Sequence, residues 1–199
     1  MIVRRFVTPV VAAMVLVGAC GGDPPPPPPP PPPQANQDSL RAYQDSVRRA
    51  QEAAQAEAAR LAAERAATAE RTRRVAAARA TLEEMVFFDY DESDVRDDAA
   101  AVLRRKVDIL RASPQVRIRV EGHADERGST EYNLALGNRR AEAVRQFLVG
   151  FGLTQDRFEI VSFGEGRPRQ QGATEQAWAQ NRRGEFIITA GANAINPAN

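Results

Sequence analysis

The chain has 199 residues, with 27 basic side chains against 26 acidic ones and a net charge of +1. That length suits one globular domain with accessory segments, or two small domains, and a balance this close gives no general attraction to nucleic acid. A single Cys and a single His exclude an intramolecular disulfide framework and a Cys/His zinc cluster, so no metal and no cofactor is expected. Every basic residue but Lys106 is arginine. The bases are mixed with acids and carry no interleaved aromatics, which argues against a stacking platform for single strands.

Arg4 and Arg5 precede an apolar stretch, Phe6 to Val17. It falls short of the roughly 20 residues that span a bilayer and fits the apolar region of a secretory signal. Val17-Gly18-Ala19-Cys20 resembles a bacterial lipobox. The resemblance implies that residues 1–19 are removed and that Cys20 is acylated on its sulfur and on its new amine, by palmitate-type chains. More than one acyl chain is what stable membrane anchoring requires. Gly21 rather than Asp follows Cys20, which in resembling systems implies the outer membrane, with the chain facing the periplasm.

Residues 20–37 form a linker that includes ten consecutive prolines, Pro24 to Pro33. Such a run takes the polyproline II form at about 3.1 Å per residue, roughly 31 Å in all, and acts as a stiff tether. Residues 38–82 then predict a long exposed helix. Sixteen of residues 38–80 are Ala, with no Gly or Pro, and at 1.5 Å per residue that stretch spans about 65 Å. Acid-first pairs such as Asp45/Arg49 and Glu70/Arg74 support it. Leu40, Val47, Ala54, Leu61, Thr68, Val75 and Leu82 recur every seven residues, but their companion positions are mostly polar or small. That is half a coiled-coil seam. A weak oligomer through this helix and a solvated lone helix fit equally well.

From residue 84 to 190 the pattern changes to that of a packed domain. Met85 to Tyr90 predicts a short apolar strand. Asp94 can cap a helix ending near Ala112, before Ser113-Pro114. Val116, Ile118 and Val120 alternate with Arg117, Arg119 and Glu121, the period of a half-buried strand. A polar loop, Gly122 to Gly128, leads to a helix from Thr130 to Val149, whose Leu134, Gly137, Ala141, Val144 and Leu148 form one stripe. Phe158 to Phe163 predicts a third strand, Thr174 can cap a short helix from Glu175 to Asn181, and Glu185 to Thr189 predicts a last strand. The expected fold is two-layer α/β, a four-stranded mixed sheet with helices packed on one face, followed by a flexible tail at 191–199.

The loop His123-Ala124-Asp125-Glu126-Arg127-Gly128 follows a strand and enters a helix, where ligand sites gather in α/β folds. Asn133 and Arg140 lie seven residues apart, so they share a helix face, with Gly137 between them offering a ligand room. Asp125 supplies an anion, Arg140 a planar cation, and Asn133 an amide that both donates and accepts. Together they suit a zwitterion bearing an ammonium and a carboxylate. An ion pair between Asp125 and Arg140 that merely pins the loop to the helix fits the spacing equally well. Catalysis finds little support. A lone His beside Asp125 and Glu126 is weak metal evidence, and Ser129 has no paired His at a recognisable spacing.

Val120 to Gly128 (VEGHADERG) and Glu131 to Ala141 (EYNLALGNRRA), with Phe88-Asp89-Tyr90-Asp91, Val161 to Gly164 and Asn181-Arg182-Arg183, resemble the OmpA-like peptidoglycan-binding domain. Among its branches they most resemble the peptidoglycan-associated lipoproteins. The resemblance covers about residues 84–190 and implies a nonenzymatic protein that binds the diaminopimelate of the peptidoglycan stem peptide. By motif position, Asp125 would hold the ammonium end and Arg140 a carboxylate, with Asn133 and Asp89 as helpers. Arg182 would tie the last helix to the sheet. The family further implies a TolB-like periplasmic partner and a place in the Tol-Pal system at cell division. The polyproline run and long helix depart from a short-tethered member of the family.

Overall fold

The computed structural model describes residues 35–197. Residues 1–34, including Cys20 and the polyproline run, lie outside them. No helix among the described residues is long and apolar enough to cross a membrane.

Helix α1 runs Ala35–Glu83, three residues earlier than the pattern predicts. The chain divides into two units, residues 1–53 and 54–199. In the first, Leu40, Tyr43 and Val47 are exposed, and the Asp45 carboxylate pairs with Arg48 at 2.8 Å while Arg49 Nε donates to the Asp45 carbonyl at 3.2 Å. In the second, Leu61 is still exposed, but Ala78 and Leu82 are buried, and Val75 packs against them. The last two heptad positions therefore serve the domain's own core and not a seam between chains.

The rest of the second unit follows the order β1 (Val86–Phe87), α2 (Asp97–Ala112), β2 (Arg117–His123), α3 (Thr130–Gly150), β3 (Phe158–Gly164), α4 (Glu175–Asn181) and β4 (Arg183–Ala190). The sheet order is β1-β4-β2-β3, with β2 and β3 parallel and the other pairs antiparallel. Ile118 and Val120 of β2, Phe158 of β3 and Phe186 of β4 face a core closed by Leu103, Val107 and Leu110 of α2 and Ala141, Val144 and Leu148 of α3. This is the two-layer α/β architecture that the alternating strands and striped helices predict.

Five local expectations need correction. Helix α2 starts at Asp97, with Arg96 at its N-cap and no side-chain cap bond. Asp94 does not cap it, and the acids Asp97 and Asp98 in the first turn complement the helix dipole instead. Strand β1 stops at Phe87 because Tyr90 and Asp91 form a turn, with Asp91 left-handed at φ 57°. Asp is among the few residues that visit this region at modest cost. Leu134 is exposed and lies off the α3 stripe. The 84–190 boundary is too narrow, since Ala78, Leu82 and Ile195 all join the core. Nor is 191–199 a free tail throughout, because the Asn196 backbone N–H donates to Ser113 Oγ at 2.8 Å.

Lys106, fully buried, closes the end of α1. Its Nζ donates to the carbonyls of Thr81, Leu82 and Glu84 at 2.8, 2.9 and 2.5 Å and sits 3.9 Å from the Phe186 ring centroid. An ammonium has the three donors that these carbonyls require. They include C-terminal groups that a helix leaves unpaired.

Candidate functional site

The sheet delivers the loop 124–128 to the N-terminus of α3 because α3 crosses β2 at glycines. A Cβ on Gly122 would lie 1.8 Å from the Gly137 carbonyl oxygen, and one on Gly137 would lie 2.3 Å from Ser162 Oγ. Gly137 is thus a contact between helix and sheet, not an opening for a ligand. Close packing there fixes the residues on either side of it, Asn133 and Arg140, over the end of β2. Ser129 caps α3 by accepting from the Tyr132 backbone N–H at 3.2 Å.

These elements enclose a pocket of about 90 Å³ lined by Asp125, Asn133 and Arg140 together with Tyr90, Asp91, Arg127, Gly128, Tyr132 and Leu136. Three of the four ligand residues expected from the sequence meet there. Asp89 does not present its carboxylate to the pocket. That group pairs with Arg96 at 2.9 Å on the exposed surface, while the Asp89 carbonyl accepts from Arg140 Nη2 at 2.9 Å.

Arg140 is fully buried. Its Nε donates to the Glu92 carbonyl and its Nη1 to the His123 carbonyl, both at 2.8 Å. With the Asp89 bond, three of its five N–H groups are taken. No carboxylate lies within 4.0 Å of it among the described residues, so the simple bridge to Asp125 does not form. Burial pushes the guanidinium down to about 10, the nearby Arg182 charge adds to this, and Asp125 and Asp91 oppose it.

Asp125 is buried and already saturated. Oδ1 accepts from the backbone N–H and Nε of Arg127 at 3.1 and 3.0 Å, and Oδ2 accepts from Arg127 Nη2 at 2.7 Å and Arg182 Nη1 at 3.3 Å. Burial alone would raise its pKa, but these arginine bonds and charges hold it below the usual carboxylate range. Arg182 also donates to the Phe88 carbonyl at 3.1 Å and to Glu175 at 2.8 Å. It ties α4 to the strand end, as expected of it. Asn133 donates to the Arg127 carbonyl at 3.3 Å and so holds the loop in place.

Spacing could not reveal the aromatic part of the site. The Arg127 guanidinium lies 4.0 Å from the Tyr90 ring centroid and 4.1 Å from that of Trp178, a cation sandwiched between two rings. Tyr132 donates its hydroxyl to Asp91, closing the rim. Asp91 beside it is left-handed at φ 57°, and such backbone concentrates at functional sites, but the sequence alone carries no signal for it.

A family-wide sequence profile described as the OmpA family matches residues 87–182. The chain is 45% identical over 103 residues to a peptidoglycan-associated lipoprotein of Brucella melitensis, covering 52% of this chain and 61% of that protein. It is 48% identical over 100 residues to one of Pseudomonas aeruginosa, covering 50% and 59%. The match thus spans about three fifths of the length of these relatives. Among solved structures, the peptidoglycan-associated lipoprotein from Burkholderia pseudomallei superimposes with a TM-score of 0.52 at 43% identity, covering 53% of this chain and 89% of that one.

Proposed function

Since the C-terminal domain of this chain belongs to the OmpA family, we propose that the protein is a nonenzymatic envelope lipoprotein that binds peptidoglycan through the pocket at the end of β2. The ligand is the diaminopimelate of the stem peptide. One observation carries the reading: Arg140 is a fully buried cation lining a pocket, and its hydrogen-bond acceptors among the described residues are all neutral carbonyls. A buried charge without a counter-ion is costly, and an incoming carboxylate supplies that counter-ion. The N-terminal end of α3, at Gly128 and Ser129, adds a partial positive charge at the same place.

The ammonium end goes to Asp125. All four of that carboxylate's accepting positions are in use, so the ammonium must displace a guanidinium. Arg127, partly exposed at 28% against 8% for Arg182, is the one to move, and Tyr90 and Trp178 then offer their ring faces to the ligand. Around this domain we place the anchor at acylated Cys20, the outer membrane as its location, the polyproline run and α1 as tether and spacer, and a TolB-like protein of the Tol-Pal system as partner.

The test is co-sedimentation of the full chain with purified sacculi, with free diaminopimelate as competitor. Loss of binding as diaminopimelate rises is the expected result, and binding indifferent to it would end the assignment. For the anchor, a Cys20→Ala chain should leave the membrane fraction once the wall is digested. Retention in that fraction would refute lipidation at Cys20.

A further inference from the structure

The face of the sheet turned away from α2 and α3 holds a second polar cluster that peptidoglycan binding does not use. Along β2 the side chains of Arg119, Glu121 and His123 alternate to this face. Antiparallel pairing sets Glu121 directly opposite Glu185 of β4. Two carboxylates opposed across a ladder destabilise it unless something positive stands between them. Two residues further along β2, His123 is 1% exposed, and neither of its ring nitrogens has a hydrogen-bond partner. Its ring stacks on Phe163, centroids 5.6 Å apart, where the β2–β3 register shifts. Register shifts of this kind re-aim side chains.

A buried imidazole with no partner needs an explanation. Glu121, His123 and Glu185 each place one donor atom within 4.8 Å of the others. We propose that these three residues form a divalent-metal site on the open face of the sheet, distinct from the peptidoglycan pocket. One nitrogen and two oxygens suit zinc, which accepts imidazole and carboxylate and keeps a remaining position for water. The metal would give the ring its missing partner and sit between the two opposed carboxylates.

The surrounding charges orient the two carboxylates. Arg183 Nε donates to Glu185 Oε1 at 2.6 Å, and Arg119 lies 3.4 Å from Glu121 and 3.3 Å from Glu159. With Arg167 counted, three arginines balance the three carboxylates, so what favours a cation is the convergence of the three donor atoms. Burial, with help from Arg183 and Arg167, pushes the His123 ring down to about 4, against Glu185, so it is neutral near pH 7, as a ligand must be. Arg183 and Arg167 both repel a cation here, and Arg167, whose guanidinium lies 3.6 Å from the Phe163 ring centroid, gives the proposal its sharpest test.

The test titrates zinc chloride into the full chain, freed of metal with a chelator, by calorimetry and by melting temperature. Cobalt(II) serves as a spectroscopic probe of nitrogen ligation. The parent should bind one zinc and melt higher with it. Glu185→Gln, which changes a half-buried ligand and keeps its shape, should weaken binding by more than tenfold. Even an outer partner of a metal ligand commands about 10–100-fold. His123→Phe preserves the stacking and should abolish the cobalt signal. Arg167→Gln should bind zinc more tightly than the parent. Zinc that leaves the parent's melting temperature unchanged, or that binds Glu185→Gln as it binds the parent, overturns the site. Should His123→Phe fail to fold, Glu185→Gln and Arg167→Gln still decide the matter.

Discussion

Two buried arginines stand at opposite ends of β2 and do the same local work. At the start of the strand, Arg157 donates to the carbonyls of Val116, Leu110 and Ser113 at 3.0, 3.0 and 2.8 Å. At its end, Arg140 donates to those of Asp89, Glu92 and His123. Neither has a carboxylate within ion-pair distance among the described residues. The difference lies in the acceptors and in the space beside them. Arg157 caps the C-terminal end of α2, where unpaired carbonyls and the helix dipole already favour a cation. Arg140 gathers carbonyls from two loop positions and a strand end, at no helix terminus, and it lines a pocket. A three-carbonyl cage alone is therefore a structural device. It becomes a binding device where the cation also faces a cavity into which an anion fits.

Removing each cation tests that distinction most strongly. Arg157→Leu and Arg140→Leu should each destabilise the domain by on the order of 2–4 kcal/mol, since three buried acceptors lose their donor. For a domain of this size that lowers Tm by roughly 10 °C or more. Titration of diaminopimelate-containing stem peptide into the folded proteins should then separate them. Arg157→Leu keeps its affinity. Arg140→Leu loses a charge-assisted contact of about 1.5–3 kcal/mol, a tenfold to more than hundredfold drop. Arg140→Lys should recover only part of it, because an ammonium cannot offer the planar fork. Equal affinities across the set would reduce Arg140 to a second Arg157.

Lys106 provides a third cage with no ligand role. Lys106→Met keeps much of the stem's volume and should cost about 2–3 kcal/mol through the stranded carbonyls of Thr81, Leu82 and Glu84. Stem-peptide affinity should not move. A change in affinity would show that the junction between α1 and the domain reaches the pocket.

The sequence carries the fold well because its signals are local. Alternation in β2 and the stripe of α3 state which face meets the core, and Ile118, Val120, Ala141, Val144 and Leu148 do so, although Leu134 does not. What fails is whatever long-range packing decides. Leu82 sits on a heptad and reads as a seam residue, yet it turns into the domain core. Ile195 lies in a stretch without periodicity, yet it is buried there too. Gly137 reads as room for a ligand, but the residue that explains it, Gly122, belongs to another element. Motif spacing likewise brings Asp125, Asn133 and Arg140 together. It cannot show that Arg127 occupies Asp125 first, or that Glu185 arrives opposite Glu121 only through the β2–β4 register.

The comparison also extends to Asp125, the anion that Arg140 does not pair with. Its folded pKa lies below the ordinary value near 4. The stability it contributes is therefore complete above that value and is lost as pH falls through the depressed one. Asp125→Asn should flatten the dependence of Tm on pH below about 4 and leave it unchanged at neutral pH apart from a constant offset. It should also weaken stem-peptide binding, since an amide offers no charge to an ammonium. A pH profile identical to the parent's would mean that Arg127 and Arg182 hold the loop without help from that carboxylate.

The smallest expected effect belongs to Asp89, and it separates backbone from side chain at the pocket. Motif position makes Asp89 a helper in ligand binding. In the structure only its carbonyl takes part, as an acceptor for Arg140 Nη2, and its carboxylate points to Arg96. That ion pair is largely exposed, and pairs of this kind contribute about 0–1 kcal/mol. Asp89→Asn should therefore move Tm by only a few degrees and leave stem-peptide affinity within a factor of two or so, because Asn retains the carbonyl that Arg140 holds. High salt should reduce the small stability difference further, as the pair is screened. A tenfold loss of affinity in a folded Asp89→Asn protein would mean that the carboxylate leaves Arg96 when the ligand arrives. The site would then present two anions to the ammonium, and Arg140 would be acting on the ligand through the segment it holds as well as directly.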